Sequence, residues 1–257
     1  MSPLHAVVIV GAGFVAGMMN VVVGAGSLVT FPVLVALGYP PVEANVSNTI
    51  GLVFGSLSGV VAYRRELVGQ GARLLNLGVP AAIGALCGGI VLLELPAAVF
   101  TRVVPVLVLA ASVLVLVQPR LARHLASRRG HRDHGGMALV AGVFATGVYG
   151  GYFGAAQGVI LVALLGTFLA DGLQRLNATK NVLALVVNAV AAGLFALLAL
   201  FHVDHVAWLV ALWIAVGSVV GGQVGGAFGR RLPAPVLRFL IVIVGLSVSV
   251  VLFLRWK

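Results

Sequence analysis

The chain has 257 residues, of which 61% are hydrophobic and 9% charged, with a mean hydropathy of +1.16. A soluble domain carries about a quarter charged residues; this chain could not cover a surface with so few, so its solvent must be lipid. The net charge of +10 does not point to nucleic acid, because five of the sixteen basic residues crowd one short stretch (Arg120, Arg123, Arg128, Arg129 and Arg132) and read as a positive-inside topology signal.

In chain order, residues 6–42 carry no formal charge, and no Lys or Arg precedes Arg64. A cleaved signal peptide needs a basic start, so the first segment is expected to remain as structure. Stretches 44–63, 74–93, 181–201 and 206–229 each approach the ~20 apolar residues that cross a bilayer as helix. Stretches 103–117 and 239–254 reach that length by extending back past Arg102 and Arg238, which can snorkel. The single Cys87 excludes an intrachain disulfide and a cysteine metal cluster; in a small-residue helix its expected role is packing.

The basic stretch divides the chain into halves that resemble each other. "GMMNVVVGAGSLV" (17–29) aligns with "GVYGGYFGAAQGV" (147–159), pairing Gly24 with Gly154. "EANVSNT" aligns with "QRLNATKN", pairing Asn45 with Asn177 and Ser47 with Thr179, and "GALCGG" aligns with "GSVVGG". The preserved order implies an internal duplication, an architecture common among transporters. Each half opens with an uncharged block, 6–42 or 137–170, that is too long for one span: 34 residues of helix would measure about 51 Å against a core of about 30 Å. Both blocks hold a glycine cluster near the middle, so each is expected to be two short helices folded at a Gly turn, a broken or re-entrant hairpin whose exposed backbone is buried in protein or lines a polar cavity. With the 120–132 loop in the cytoplasm, the basic residues then favour opposite orientations of the halves, with 201–206 outside.

Broken helices offer free N–H groups and the positive end of a helix dipole, for which an anion is the natural guest. Asn45, Asn48 and Thr49 share a helix face just after the Pro40–Pro41 turn, and Asn177, Lys180 and Asn181 repeat that spacing. Ser27, Thr30 and Gln157 sit beside the Gly turns. Each has an ordinary counterpart: an Asn or Ser near a helix start caps it, Lys180 snorkels to the interface, and Gly84/Gly88 and Gly217/Gly221/Gly225 pack helices. His202, Asp204 and His205 share one short loop, and Glu43 supplies a helix-start charge. No P-loop, His-Glu-x-x-His or nucleophile elbow is present, so no catalytic residue, metal ligand or cofactor is expected.

These residues also carry a family likeness. The opening "GFVAGMMNVVVGAGSLVTFPVLVALGYPPVEANVSNTIGLVFGSLSGVVAY" (13–63) resembles the first repeat of the sulfite and organosulfonate exporter family, TauE/SafE, and "WLVALWIAVGSVVGGQVGGAFGRRLPAPVLRFL" (208–240) resembles that family's recurring ending. The resemblance implies export of small sulfur oxyanions such as sulfite or sulfoacetate, with the site at Gly24, Gly26, Ser27, Asn45, Asn48, Gly154, Gln157, Asn177 and Lys180. Thr49 and Asn181 join it from their place on the same helix faces. The sequence departs from the family's triple-Gly turn, reading Gly-Ala-Gly-Ser and Gly-Ala-Ala-Gln.

The expectation is therefore an all-α, polytopic membrane protein of the cell membrane. It has a first repeat (1–117), a basic cytoplasmic linker (118–136) and a second repeat (137–257), the repeats inverted. Its partners are lipid and a small anion, with no nucleic acid. A channel-like anion pathway and a membrane-embedded lipid-headgroup enzyme, for which the 202–205 loop is the candidate centre, are the competing readings.

Overall fold

The computed structural model describes residues 2–127, 136–201 and 206–228, together with Phe239 and Ile243. Most of the basic cluster from Arg128 onward, the loop with His202, Asp204 and His205, the Arg230/Arg231 pair and most of the last predicted span lie outside these residues. The described chain is helical, with no strand among the described residues. The first half holds α1 (Pro3–Val22), α2 (Ser27–Ala36), α3 (Pro41–Ala62), α4 (Gly71–Glu94) and α5 (Ala97–Ser127), with a 3-10 turn at Arg64–Leu67. The second half repeats the pattern as α6 (Gly136–Tyr152), α7 (Gln157–Phe168), α8 (Leu173–Ala199) and α9 (Trp208–Phe228).

Six of these helices, α1, α3, α4, α5, α8 and α9, are long and apolar enough to cross a membrane. Their outward faces carry Ile83, Ile90, Val113 and Leu212, all substantially exposed. Only lipid makes such faces favourable. Two boundaries differ from the sequence reading. Helix α8 begins at Leu173, so Arg175 and Lys180 lie inside it, and α5 continues through Ser127 into the stretch expected to be linker.

The opening blocks do break at their glycines, though not into equal short pieces. Helix α1 runs 20 residues and α2 only 10; α6 runs 17 and α7 12. Gly24 (φ +86°) and Gly154 (φ +73°) take the left-handed backbone that ends each long helix and reverses the chain. The apolar run upstream of each turn is long enough to complete a helix before the turn arrives.

Glycine stripes set the packing. A Cβ on Gly221 would lie 1.8 Å from the Phe14 carbonyl oxygen, and one on Gly17 would lie 2.2 Å from that of Ser218, so α1 and α9 touch backbone to backbone. In the same way Gly88 meets the Val148 carbonyl at 2.0 Å and Gly151 that of Ala85 at 2.1 Å, joining α4 to α6. Close approach of this kind is how helices associate where the surroundings are as apolar as the core. Cys87, in contrast, is exposed on α4. The stripe of Ala81, Gly84, Ala85 and Gly88 occupies the α6-facing side of the helix and turns Cys87 away, so the packing role expected for it does not hold.

The pairing is reciprocal: the first helix of each half packs on the fourth helix of the other. Packing also refines the alignment. Gly13 and Gly17 face Ile214 and Ser218 as Gly147 and Gly151 face Ala81 and Ala85. Helix α6 therefore reaches its break one turn sooner than α1 does. Across the middle, α3 and α8 meet with opposite chain sense: Asn177 bonds the Tyr63 hydroxyl (3.2 Å), Asn181 lies by Gly59, and Asn188 bonds Ser56 (3.1 Å).

Candidate functional site

The two breaks come together. The Gly158 N–H donates to the Gly24 carbonyl at 3.1 Å, and a Cβ on either glycine would sit 2.5 Å from the other's Cα. Lys180, on α8, runs alongside: its Cδ is 3.1 Å from where a Cβ on Gly158 would be. Residues 134 positions apart are thus in contact at the centre of the fold, and only glycine at both permits it.

Lys180 is fully buried, so it does not snorkel to the interface. Its ammonium donates to the carbonyls of Asn20 and Val21, both at 3.0 Å. These are among the last carbonyls of α1, which lack intrahelical partners and carry the negative end of the helix dipole. An ammonium has three donors, so one remains after these bonds. Among the described residues Lys180 has no carboxylate partner.

Asn45 plays the matching part across the seam, its Nδ2 donating to the Tyr152 carbonyl at the end of α6 (3.0 Å). Each half thus uses the start of its second long helix to hold the end of the other half's broken one. This removes the capping reading for the amides. The N-cap positions are Pro40 and Gly172, and Asn45, Asn48 and Asn177 lie inside their helices. An Asp at position 45 would aim a carboxylate at the Tyr152 carbonyl in place of a donor. Asn45→Asp is therefore expected to cost about 1–3 kcal/mol of stability, measurable by thermal unfolding, whereas an interchangeable cap would leave it unchanged.

The polar clusters of the two halves are not equally occupied. Asn48 is satisfied: its Nδ2 donates to Ser27 Oγ at 3.1 Å, and the Thr30 hydroxyl donates to its Oδ1. Thr49 returns its hydroxyl to the Asn45 carbonyl (2.9 Å), and Asn20 Oδ1 accepts from the Gly26 N–H (3.1 Å). In the second half both side-chain atoms of Gln157 and the Nδ2 of Asn181 are buried without a protein partner, as is Asn45 Oδ1. Gln157 lies over the glycine floor of the break, its Oε1 occupying the space that a Cβ on Gly150 would need, with Val187 beside it.

The free N–H groups expected at the breaks are largely used up. The N–H groups of Gln157, Gly158, Val159 and Ile160 all bond carbonyls, as do those of Leu28, Val29 and Thr30. Side chains, not helix N-termini, therefore hold the spare polar capacity here. Glu43 is only partly buried in the first turn of α3, as a helix-start charge should be.

Outside this centre, the α8 start is fastened to the first half by polar pairs that the sequence alone does not show. Arg73 pairs with Asp171, Arg175 Nε lies 3.4 Å from the same carboxylate, and Thr179 donates to Gln70 Oε1 at 2.8 Å. On the opposite side Ser47 Oγ accepts from the Ala207 N–H (2.9 Å). Asn188 was also missed, although its signal was present: it stands seven residues beyond Asn181 on the same face, and its equivalent under the alignment is the Ser56 it bonds. An apolar groove between α3 and α9, lined by Phe54, Leu57, Val219 and Gln223, faces outward and belongs to none of these clusters.

Comparisons with known proteins find a family and relatives over nearly the whole chain. The family described as "Sulfite exporter TauE/SafE" matches residues 9–252. "Probable membrane transporter protein YfcA" of Escherichia coli (strain K12) is 29% identical over 256 residues, covering 96% of this chain and 89% of its own. "Probable membrane transporter protein ORF9" of Sinorhizobium sp is 26% identical, covering 93% and 88%, and a "Probable membrane transporter protein" of Haemophilus influenzae is 24% identical, covering 92% and 90%. No solved structure matches the chain. With the family matched over nearly the whole chain and six helices of spanning length, the chain belongs to the sulfite exporter TauE/SafE family and is a multi-pass membrane transporter.

Proposed function

We propose that the transported solute is a small oxyanion, sulfite or an organosulfonate such as sulfoacetate, bound where the two breaks meet, between repeats that run in inverted sense. One observation carries this reading. Lys180 is a fully buried lysine inside a spanning helix, its Nζ held by two carbonyls and by no carboxylate among the described residues. A charge at membrane depth is costly and persists where something compensates it. The α1 carbonyls supply part of that compensation, and an anion on the remaining N–H supplies the rest. Gly24, Gly26 and Gly154 shape the breaks, while Gln157 and Asn181 offer further donors. Ser27, Asn48 and Asn177 hold α2, α3 and α8 in place through bonds already made, and Thr49 returns its hydroxyl to its own helix. The opposite chain sense of α3 and α8, equivalent helices in the two halves, supports the inverted arrangement.

The same carbonyl bonds support a purely structural role for Lys180 as the C-terminal clasp of α1. Thermal stabilisation of the purified protein, screened over sulfite, sulfoacetate, taurine, sulfate and phosphate, separates the two. A transporter of oxyanions is stabilised by at least one of them in a concentration-dependent way. A melting temperature indifferent to all five leaves Lys180 as a clasp.

A further inference from the structure

Resting on the anion reading above, we propose that the solute carries a hydrogen-bond donor of its own beside the negative charge. The favoured class is then a protonated oxyanion, such as the bisulfite form of sulfite, or an amino-sulfonate, over fully deprotonated sulfonates. On α3, α7 and α8, around the two breaks, five buried polar groups have unused hydrogen-bonding capacity. On the donor side stand Gln157 Nε2, Asn181 Nδ2 and the third N–H of Lys180. On the acceptor side stand Gln157 Oε1 and Asn45 Oδ1. Gln157 and Asn45 are 4% and 1% exposed.

Buried polar atoms are almost always paired with protein, ordered water or ligand, so a group of unpaired ones gathered at one break points to a polar partner there. Both acceptors stand at the α6 break: Asn45 is anchored on the Tyr152 carbonyl, and Gln157 lies above Gly150 and Gly154. The next residue after Gln157, Gly158, touches Gly24 and the Lys180 side chain. An acceptor-only anion would satisfy the donors and leave the carboxamide oxygens unpaired, because a carboxylate or sulfonate oxygen has no proton to give. Turning the Gln157 carboxamide over does not help, since both its ends lack partners. A solute with an O–H or N–H pairs with both kinds of group. In the first half the equivalent of Gln157 is Ser27, which is already engaged by Asn48, so this discrimination resides in the second half.

Sulfamate and methanesulfonate test the idea directly. Both are tetrahedral monoanions of nearly equal size, differing in an NH2 group against a CH3 group. Dissociation constants would be measured for both on the purified protein and on Gln157→Leu, which removes both unpaired side-chain atoms at similar volume. Wild-type protein is expected to bind sulfamate roughly tenfold more tightly, the scale of one added buried hydrogen bond. Gln157→Leu is expected to lose that preference and, without the Nε2 donor, to bind both anions more weakly than the wild type. Equal affinity of the wild type for the two anions would overturn the donor requirement and leave the anion site standing. A sulfamate preference that survives in Gln157→Leu would overturn the role given to Gln157. Binding of neither anion, with sulfite also inert, would overturn the anion reading itself.

Discussion

Replacing Lys180 by Gln is expected to weaken oxyanion binding by about 1–3 kcal/mol, the usual scale for losing a charged hydrogen bond, as read from dissociation constants on folded protein. The substitution removes the charge and one of the three N–H donors of the ammonium, so a carboxamide cannot serve both α1 carbonyls and an anion together. It also leaves a carbonyl of α1, Asn20 or Val21, short of a partner, so a lower melting temperature accompanies the loss. The two effects are separable, because affinity is measured on the fraction that remains folded. Lys180→Arg keeps the charge but brings a planar fork where a compact ammonium sits on two carbonyls and its stem is packed against Gly158. It should bind better than Gln and less well than Lys. A lysine that only clasps α1 would give all three proteins the same dissociation constant and differ only in their melting temperatures.

The largest expected effect on stability lies far from the charge. A Cβ on Gly221 would sit 1.8 Å from the Phe14 carbonyl oxygen. Backbone on both sides cannot yield as a flexible side-chain tip can, so α1 and α9 must separate to admit even a methyl group. Gly221→Ala is expected to cost about 3 kcal/mol, the upper end of the usual cost of overpacking, seen as a lowered or absent thermal transition in detergent. Gly11, on α1, has open space around it and a helical backbone. Gly11→Ala should leave the protein unchanged or raise its stability by up to about 1 kcal/mol. The contrast within one helix pair matters more than either value. If both substitutions are tolerated alike, the contact between α1 and α9 is looser than described.

The spans were legible because their signals are local. Pro40–Pro41 ahead of Asn45 marks the start of α3, uncharged runs mark α4 and α9, and the glycines at 24 and 154 mark the two breaks. Four-residue glycine spacing also announced which helices pack by backbone contact. What the sequence hid was the fate of the polar groups. Lys180 looked like either an interfacial lysine or a free charge, because the carbonyls of Asn20 and Val21 are backbone atoms 160 and 159 positions away. Asn48 and Gln157 looked alike as polar residues beside a break. Folding pairs the first with Ser27 and Thr30 and leaves the second alone. The free N–H groups at the breaks were a reasonable expectation from helix geometry alone. Most are consumed by local turns, such as Gln157 to Gly154 and Val29 to Gly26, and the Gly158 N–H by Gly24, a bond that exists only because the two breaks meet. Cys87 was misjudged because composition shows that a helix is rich in small residues but not which side of it they occupy.

The most direct test of the central account is sulfite flux through purified protein in liposomes, with Lys180→Gln and empty liposomes in parallel. The account predicts sulfite movement by the wild type well above empty vesicles, and movement by Lys180→Gln reduced toward the empty-vesicle rate at equal protein content. Flux through Lys180→Gln as fast as through the wild type would contradict it, since the solute would then cross without the one buried charge at the meeting point of the two breaks.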